Sequence, residues 1–359
     1  MGKKVLITGC GGFVGPYMVD LAVEKGYEVT ATALRKPEYL KNGRYGGVKF
    51  EHSDLRDKKS LEKVVNGNER VYHIGALFDF FAGKKDLFRI NVGGTDNLCQ
   101  VAKDNGVKEF INWSSGAIYG KGNGNKLMKE TDPPLPTDNY ARSKWEAECV
   151  AFRHNGNNGF RVISLRAGAI YGPGSRYGDA SALYLLKKGL LFAVPGFTEP
   201  LSSHAHVRDV VMAAHYLSER KESYRQSATD PADIAFNICD DSPARSSDLL
   251  NTASSLLKDK GLLGFFNFRI PATPVKIAAY LAEAWAKITR TKPLFEVDSI
   301  DYISRGRAID NEKLRGTGYR LLYPDILASL KETIGWYEKT NWEVFNNKGK
   351  SMLTGLEAE

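Results

Sequence analysis

The chain has 359 residues, 42% of them hydrophobic, and a formal net charge of +8. That length can bury a large core in two lobes or one elaborated domain, and no run of 18 consecutive apolar residues is present, so a transmembrane helix is not expected. Four cysteines (Cys10, Cys99, Cys149, Cys239) and six histidines show no metal-ligand spacing, and Lys and Arg are spread rather than blocked, which argues against a metal centre and a nucleic-acid partner. Scattered cysteines read as reduced thiols, and a strand pattern directly at the N-terminus leaves no signal peptide, so a cytoplasmic protein is expected.

In the first half, strand patterns alternate with helical ones. Strands are predicted at Lys4–Thr8, Tyr27–Ala33, Val48–His52, Arg70–Ile74, Glu109–Trp113 and Phe160–Leu165. Helices are predicted near Gly12–Lys25, Lys58–Val65, Leu87–Asn105 and Asn139–Arg153. Such alternation implies an α/β fold with a doubly wound parallel sheet over residues 1–170. After Tyr171-Gly-Pro-Gly174 helical patterns dominate, near Ala180–Lys188, Val207–Glu219, Ser246–Leu257, Pro274–Thr289 and Pro324–Lys339, with short strands near Phe192–Pro195 and Ile234–Ile238. Residues 171–359 therefore read as a smaller, mostly helical substrate lobe, with 207–219 and 234–238 returning to the core.

The first strand ends in Thr8-Gly-Cys-Gly-Gly-Phe-Val-Gly15. Gly9 permits a sharp turn, Gly12 lets backbone approach a pyrophosphate, and Gly15 lets the following helix pack closely. Phe13, Val14 and Gly15 head that helix, whose free N–H groups and positive dipole end suit phosphates. This is the fingerprint of a Rossmann-type dinucleotide site. An NAD site usually carries a carboxylate at the end of the second strand. Ala33 stands there, followed by Arg35 and Lys36, which favours NADP, with NAD bound through backbone groups as the alternative. Gly75 and Ala76, after the fourth strand, are small enough for backbone to meet the cofactor, while His73 reads as a core histidine.

Tyr140-Ala-Arg-Ser-Lys144 places a phenol and an ammonium one helical turn apart, and a nearby cation lowers a phenol pKa. Ser114 and Ser115 follow the fifth strand, where a hydroxyl faces the cofactor crevice. Gly-x-x-Gly-x-x-Gly, Ser-Ser-x-x-x-Tyr-Gly, Tyr-x-x-x-Lys and Leu-Arg-x-x-x-x-Tyr-Gly-Pro-Gly, in this order, resemble the extended short-chain dehydrogenase/reductase family, within the NAD-dependent epimerase/dehydratase superfamily. The resemblance covers residues 3–240 well and the remainder loosely. It implies a catalytic set of Ser115, Tyr140 and Lys144, with Ser115 preferred because the family's hydroxyl lies four residues before Tyr119, and Ser114 as the alternative. In the implied hydride transfer to or from nicotinamide C4, Tyr140 passes the proton, Ser115 holds the substrate oxygen, and Lys144 binds the nicotinamide ribose and keeps the Tyr140 pKa low. The family also assigns Asp54 and Leu55 to the adenine side, with helix capping as the other role for Asp54, and Asn91 to organising the site or packing a helix.

For the substrate, the segment Pro200–Asp209 lacks the arginine that nucleotide-sugar enzymes of this family carry ahead of the Val-x-Asp motif, here Val207-Arg-Asp209, and Gly116 and Ala117 stand where dehydratases have an Asp-Glu pair. Phe78-Asp-Phe-Phe81 follows the fourth strand, where substrate often enters, and Gly261–Phe268, Pro271–Pro274 and the helix through Trp285 look like the 3β-hydroxysteroid dehydrogenase-like and dihydroflavonol reductase-like branch. The expected reaction is hydroxyl–ketone interconversion on a small hydrophobic molecule, with an NAD-dependent nucleotide-sugar epimerase as the alternative. The helix near Ile277–Ile288 is expected to pack on the core rather than lie on a membrane. Family relatives dimerise through two core helices, so a homodimer is expected.

Overall fold

Val5, Leu6 and Ile7 are consecutive and fully buried, a pattern a strand reaches when both of its faces are covered. The computed structural model describes residues 2–41, 45–79, 82–120, 126–156, 159–191, 193–198, 200–220, 228–257, 269–289 and 306–346. Within them β1 (Lys4–Thr8), β2 (Glu28–Ala33), β3 (Lys49–His52), β4 (Arg70–His73), β5 (Glu109–Trp113), β6 (Arg161–Ala167) and β7 (Ala235–Ile238) form one sheet ordered β7-β6-β5-β4-β1-β2-β3. All neighbouring pairs are parallel. The class is α/β with a Rossmann-type doubly wound sheet, and each of these strands lies within two residues of its predicted bounds.

Side chains alternate across the sheet. Val5 and Ile7 pack with α1 (Val14–Glu24) and α6 (Val207–Glu219) on one face. Leu6 packs with α2 (Lys58–Val65) and α3 (Gly94–Asp104) on the other. α4 (Asn139–His154) lies beside α3. A second hydrophobic cluster joins α5 (Asp179–Lys187), α7 (Ser246–Leu257) and α9 (Ile326–Lys339). α8 (Ala272–Thr289) stands outside both clusters. Leu314 and Tyr319 reach back into the sheet core.

The continuous helix expected over Leu87–Asn105 is interrupted. A turn at Lys84–Leu87 leads into wider π-helical turns at Phe88–Gly93 before α3 begins. Such insertions re-aim a side chain, and here it is Asn91. The order of strands reverses between β1 and β4, the switch point at which ligands settle beyond the carboxyl ends of a doubly wound sheet.

Candidate active site

β1 runs into Gly9, whose φ is +69°, and a Cβ there would stand 2.6 Å from the Gly75 Cα at the end of β4. Only glycine accepts both the dihedral and the contact. A Cβ at Gly15 would stand 2.6 Å from the Cys10 Cα and carbonyl oxygen, so α1 lies hard against the turn. Above Gly12 the nearest atom to such a Cβ is the Gly9 oxygen at 3.4 Å. The head of α1, at Phe13, Val14 and Gly15, has no side-chain cap, so its N–H groups are presented as an anion cradle. These features fit the pyrophosphate of a dinucleotide.

Around that cradle, Ala33 at the end of β2 lies close to Gly11, and Arg35 and Lys36 are exposed just beyond. Asp54 does not cap α2, because Asp57 does so by accepting from the Lys59 N–H at 3.0 Å. Instead both Asp54 oxygens accept from Arg56, at 2.6–3.0 Å. Burial works to raise the Asp54 pKa, but the Arg56 bonds outweigh it and hold the carboxyl below its usual range. The Leu55 carbonyl accepts from Asn97 at 3.0 Å. Ala76 is half-buried beside Gly75.

Tyr140 sits in the first turn of α4, where Asp138 caps the helix through the Ala141 N–H at 2.7 Å. One turn on, Lys144 is also buried. The Tyr140 hydroxyl is hydrogen-bonded to Ser115, whose Oγ also accepts from the Ala117 N–H at 3.1 Å. Ser114 Oγ is buried and has no partner among the described residues.

The electrostatics differ from the sequence argument. Burial pushes the Tyr140 phenol up, opposed by the Ser115 hydrogen bond and by the charge of Arg307, whose Nε donates to the Gly120 carbonyl at 2.7 Å. Burial pushes Lys144 down to about 8, with Glu148 opposing. The lysine charge bears on His73, and burial with that charge depresses the imidazole to about 3. Placing two groups one turn apart on a helix does not settle which charge dominates; desolvation does.

His73 is central to a directed hydrogen-bond chain. The Gly75 N–H donates to Thr8 Oγ1 at 3.1 Å, and Thr8 lies 3.0 Å from His73 Nδ1. His73 Nε2 lies 3.0 Å from Thr95 Oγ1, which donates to the Asn91 carbonyl at 2.6 Å. Since the Thr95 proton is committed, Nε2 carries the imidazole hydrogen and Nδ1 accepts from Thr8. The Asn91 amide clasps the Leu77 backbone, accepting at 2.7 Å and donating at 3.1 Å, and donates to Ser143 at 2.9 Å. Ser143 in turn donates to the Tyr140 carbonyl at 2.8 Å. Asn91 thus organises the loop after β4 and the head of α4. Nothing in the residue pattern marked Ser143 or Arg307 for these roles.

Behind the site, Glu148 of α4 takes a buried ion pair from Arg166 of β6, with bonds of 2.6 and 3.0 Å. In front, Phe78 meets Tyr140 edge-on at 5.1 Å and Tyr177 at 5.2 Å. Phe80, Phe81 and residues 261–268 lie outside the described residues. A cavity of about 1440 Å³ opens beside the glycine turn, lined by Gly12, Phe13, Tyr177, Ser329 and Trp336; Ser115, Tyr140 and Lys144 do not line it.

The NAD dependent epimerase/dehydratase family model matches residues 5–239, well over half of the chain. The chain belongs to this family. Among curated relatives, short-chain dehydrogenase/reductase family 42E member 1 of Xenopus laevis is 33% identical over 231 residues, covering 60% of this chain and 58% of its own. The 3beta-hydroxysteroid-dehydrogenase/decarboxylase isoform 2 of Arabidopsis thaliana is 28% identical over 345 residues, covering 89% and 59%. The chain thus spans about three fifths of the length of these two relatives. Among solved structures, the Thermus thermophilus UDP-glucose 4-epimerase in complex with NAD superposes with a TM-score of 0.69 at 22% identity, covering 93% of this chain and 99% of that one, which shows a shared fold.

Proposed function

We propose that the chain is an NAD(P)-dependent oxidoreductase that interconverts a hydroxyl and a ketone on a hydrophobic small molecule. The observation that carries this reading is the Tyr140 hydroxyl bonded to Ser115 beyond the carboxyl end of β5, on a helix tied through Ser143 and Asn91 to the loop after β4. When bound, the nicotinamide cofactor supplies or accepts the hydride. Ser115 Oγ holds the substrate oxygen. Tyr140, kept protonated by burial, is the acid that donates to that oxygen in the reductive direction. Lys144 holds the ribose hydroxyls. Gly9, Gly12, Phe13, Val14 and Gly15 receive the pyrophosphate, and Gly75 and Ala76 line its path.

Arg35, exposed beyond β2 with Ala33 in place of a carboxylate, supports NADP over NAD. The Phe78–Tyr140–Tyr177 contacts and the hydroxysteroid dehydrogenase relative support an apolar substrate. A nucleotide-sugar epimerase is the second reading. Arg176, Arg208, Lys331 and Lys339 around the cavity favour it, although Asp20, Asp325 and Glu332 share that lining.

Titration with NADPH and NADH, followed by nicotinamide fluorescence, is the first test, with turnover then measured on a panel of hydrophobic ketones. Preferential NADPH binding and turnover that vanishes in Tyr140→Phe are expected. NAD retained through purification, without ketone turnover, would move the epimerase to the front.

A further inference from the structure

Three rings run in series from the catalytic phenol to the large cavity. Phe78 meets Tyr140 edge-on at 5.1 Å and 85°, and meets Tyr177 edge-on at 5.2 Å and 80°. Tyr177 lines the cavity, whereas Phe78 and Tyr140 do not. At this point, therefore, Tyr177 is the cavity wall, Phe78 lies behind it and the phenol lies behind Phe78. Rings at such separations are in contact. Phe78 is also packed on the apolar cluster of Leu77, Leu87, Ala117 and Ala141 around Tyr140.

The backbone that carries Tyr177 is held at four carbonyls. Tyr17 Oη donates to the Pro173 oxygen at 2.7 Å, and Tyr337 Oη to the Ser175 oxygen at 2.8 Å. Ser181 Oγ donates to the Arg176 oxygen at 2.9 Å, and the Ala180 N–H to the Tyr177 oxygen at 3.2 Å. A ring on a backbone tied in this way is a wall rather than a flap. The space behind it is large. At about 1440 Å³ the cavity exceeds the ~300–1,000 Å³ of an ordinary ligand pocket. One end is the anion cradle at Gly12 and Phe13, and the other reaches Ser329 and Trp336 of α9, which the cofactor contacts proposed above do not use.

We propose that Phe78 and Tyr177 set the length of the substrate. Phe78 bounds the space in front of Tyr140, so a ketone with a compact apolar body reaches the phenol. A body extended by a further ring would have to enter volume that the two side chains fill, and a packed wall yields only at a cost. Tyr177 is a positioning residue: it acts by buttressing Phe78. Removing the partition joins the space before Tyr140 to the cavity and gives the extension a seat. This inference deepens the reading above and rests on it for the identity of the reacting group.

Cyclohexanone and 4-phenylcyclohexanone test it, since their carbonyls are alike and their bodies differ by one ring. The readout is the ratio of their kcat/KM values. Wild type should favour the shorter ketone. Tyr177→Ala should move the ratio toward the longer one by at least ~10-fold, and the double variant Phe78→Ala, Tyr177→Ala by more. Tyr177→Phe keeps the ring and should retain the wild-type ratio. A residue needed only for folding would lower both ketones alike, and Tyr177→Ala carries the test by itself if the double variant fails to fold. Calorimetry of the two corresponding alcohols reads the same selectivity without turnover, on protein loaded with whichever reduced nicotinamide it binds more tightly. A ratio that Tyr177→Ala leaves unchanged in both measurements overturns the proposal, as does a wild type that takes the longer compound as readily as the shorter. Absence of any ketone turnover, with the longer alcohol gained in Tyr177→Ala, supports the partition and overturns the reaction reading instead.

Discussion

The two ends of the sheet treat buried charge in opposite ways. At the amino ends, the first residues of β4, β5 and β6 are Arg70, Glu109 and Arg161, neighbours in register and of alternating sign. Glu109 pairs with both arginines, and Arg70 also binds Glu219 at 2.6 Å, Tyr72 at 3.1 Å and the Ser218 carbonyl at 3.2 Å. Burial would raise Glu219, yet Arg70 and Tyr27 hold it at about 2. At the carboxyl ends, Lys144 and His73 lie buried near each other and both are pushed toward neutrality. A saturated ion-pair network stabilises a fixed arrangement, whereas buried groups with displaced pKa values are where proton chemistry is placed.

The sharpest way to break the contrast is to remove one group from each end. Tyr140→Phe should lower kcat by ~10²–10⁴-fold in steady-state kinetics while cofactor affinity by fluorescence titration stays within a few-fold. Equal turnover would remove Tyr140 from the chemistry. At the other end, Arg70→Met leaves Glu109 with Arg161 alone and Tyr72 with Ser218 alone, and urea denaturation should show a loss of up to ~3 kcal/mol with kcat of the folded fraction unchanged.

Two pH experiments sharpen it further. Lys144 is an ammonium below about 8 and loses its charge above, so cofactor affinity should fall as pH rises past that value. Lys144→Arg, which keeps its charge, should move this limb out of range in a fluorescence titration. The same depressed pKa has the opposite effect on stability. The cost of burying the charge is present below about 8 and is relieved as pH rises toward the ordinary lysine value. For His73 the unfolded chain takes up a proton near 6.5, while the folded ring resists until about 3. Its contribution to stability is therefore complete above 6.5 and lost as pH falls toward 3. Between pH 7 and 4.5, His73→Gln should lose up to ~2 kcal/mol less than wild type in urea denaturation. His206, likewise depressed to about 3, remains in the variant and keeps part of the slope. The smallest effect expected is at Arg35→Asp, which should weaken NADPH by ~10-fold and leave NADH nearly unchanged.

What could be read in advance follows the range of the interactions. The strands of the sheet were legible because Val5-Leu6-Ile7, Val71-Tyr72 and Phe110-Ile111 are short apolar runs bounded by turn signals. The glycine turn was legible because its constraint is local: a positive φ at Gly9 and a close approach at Gly15. The π-helical turns at Phe88–Gly93 were not, since they are set by the reach of Asn91 to Leu77, fourteen residues away. Arg166 stood in a recognised motif, yet its partner Glu148 emerges only when α4 packs on β6.

The sequence by itself determined the alternation of strand and helix, the glycine turn and the one-turn spacing of Tyr140 and Lys144, all of which are fixed by neighbours along the chain. Tertiary structure decided that the charge of Lys144 bears on His73, that the charge of Arg307 acts on the phenol from far along the chain, and that Ile277, Leu281, Trp285 and Ile288 of α8 stand exposed. Those outcomes depend on desolvation and on contacts between distant segments, and neither quantity exists until the chain has folded.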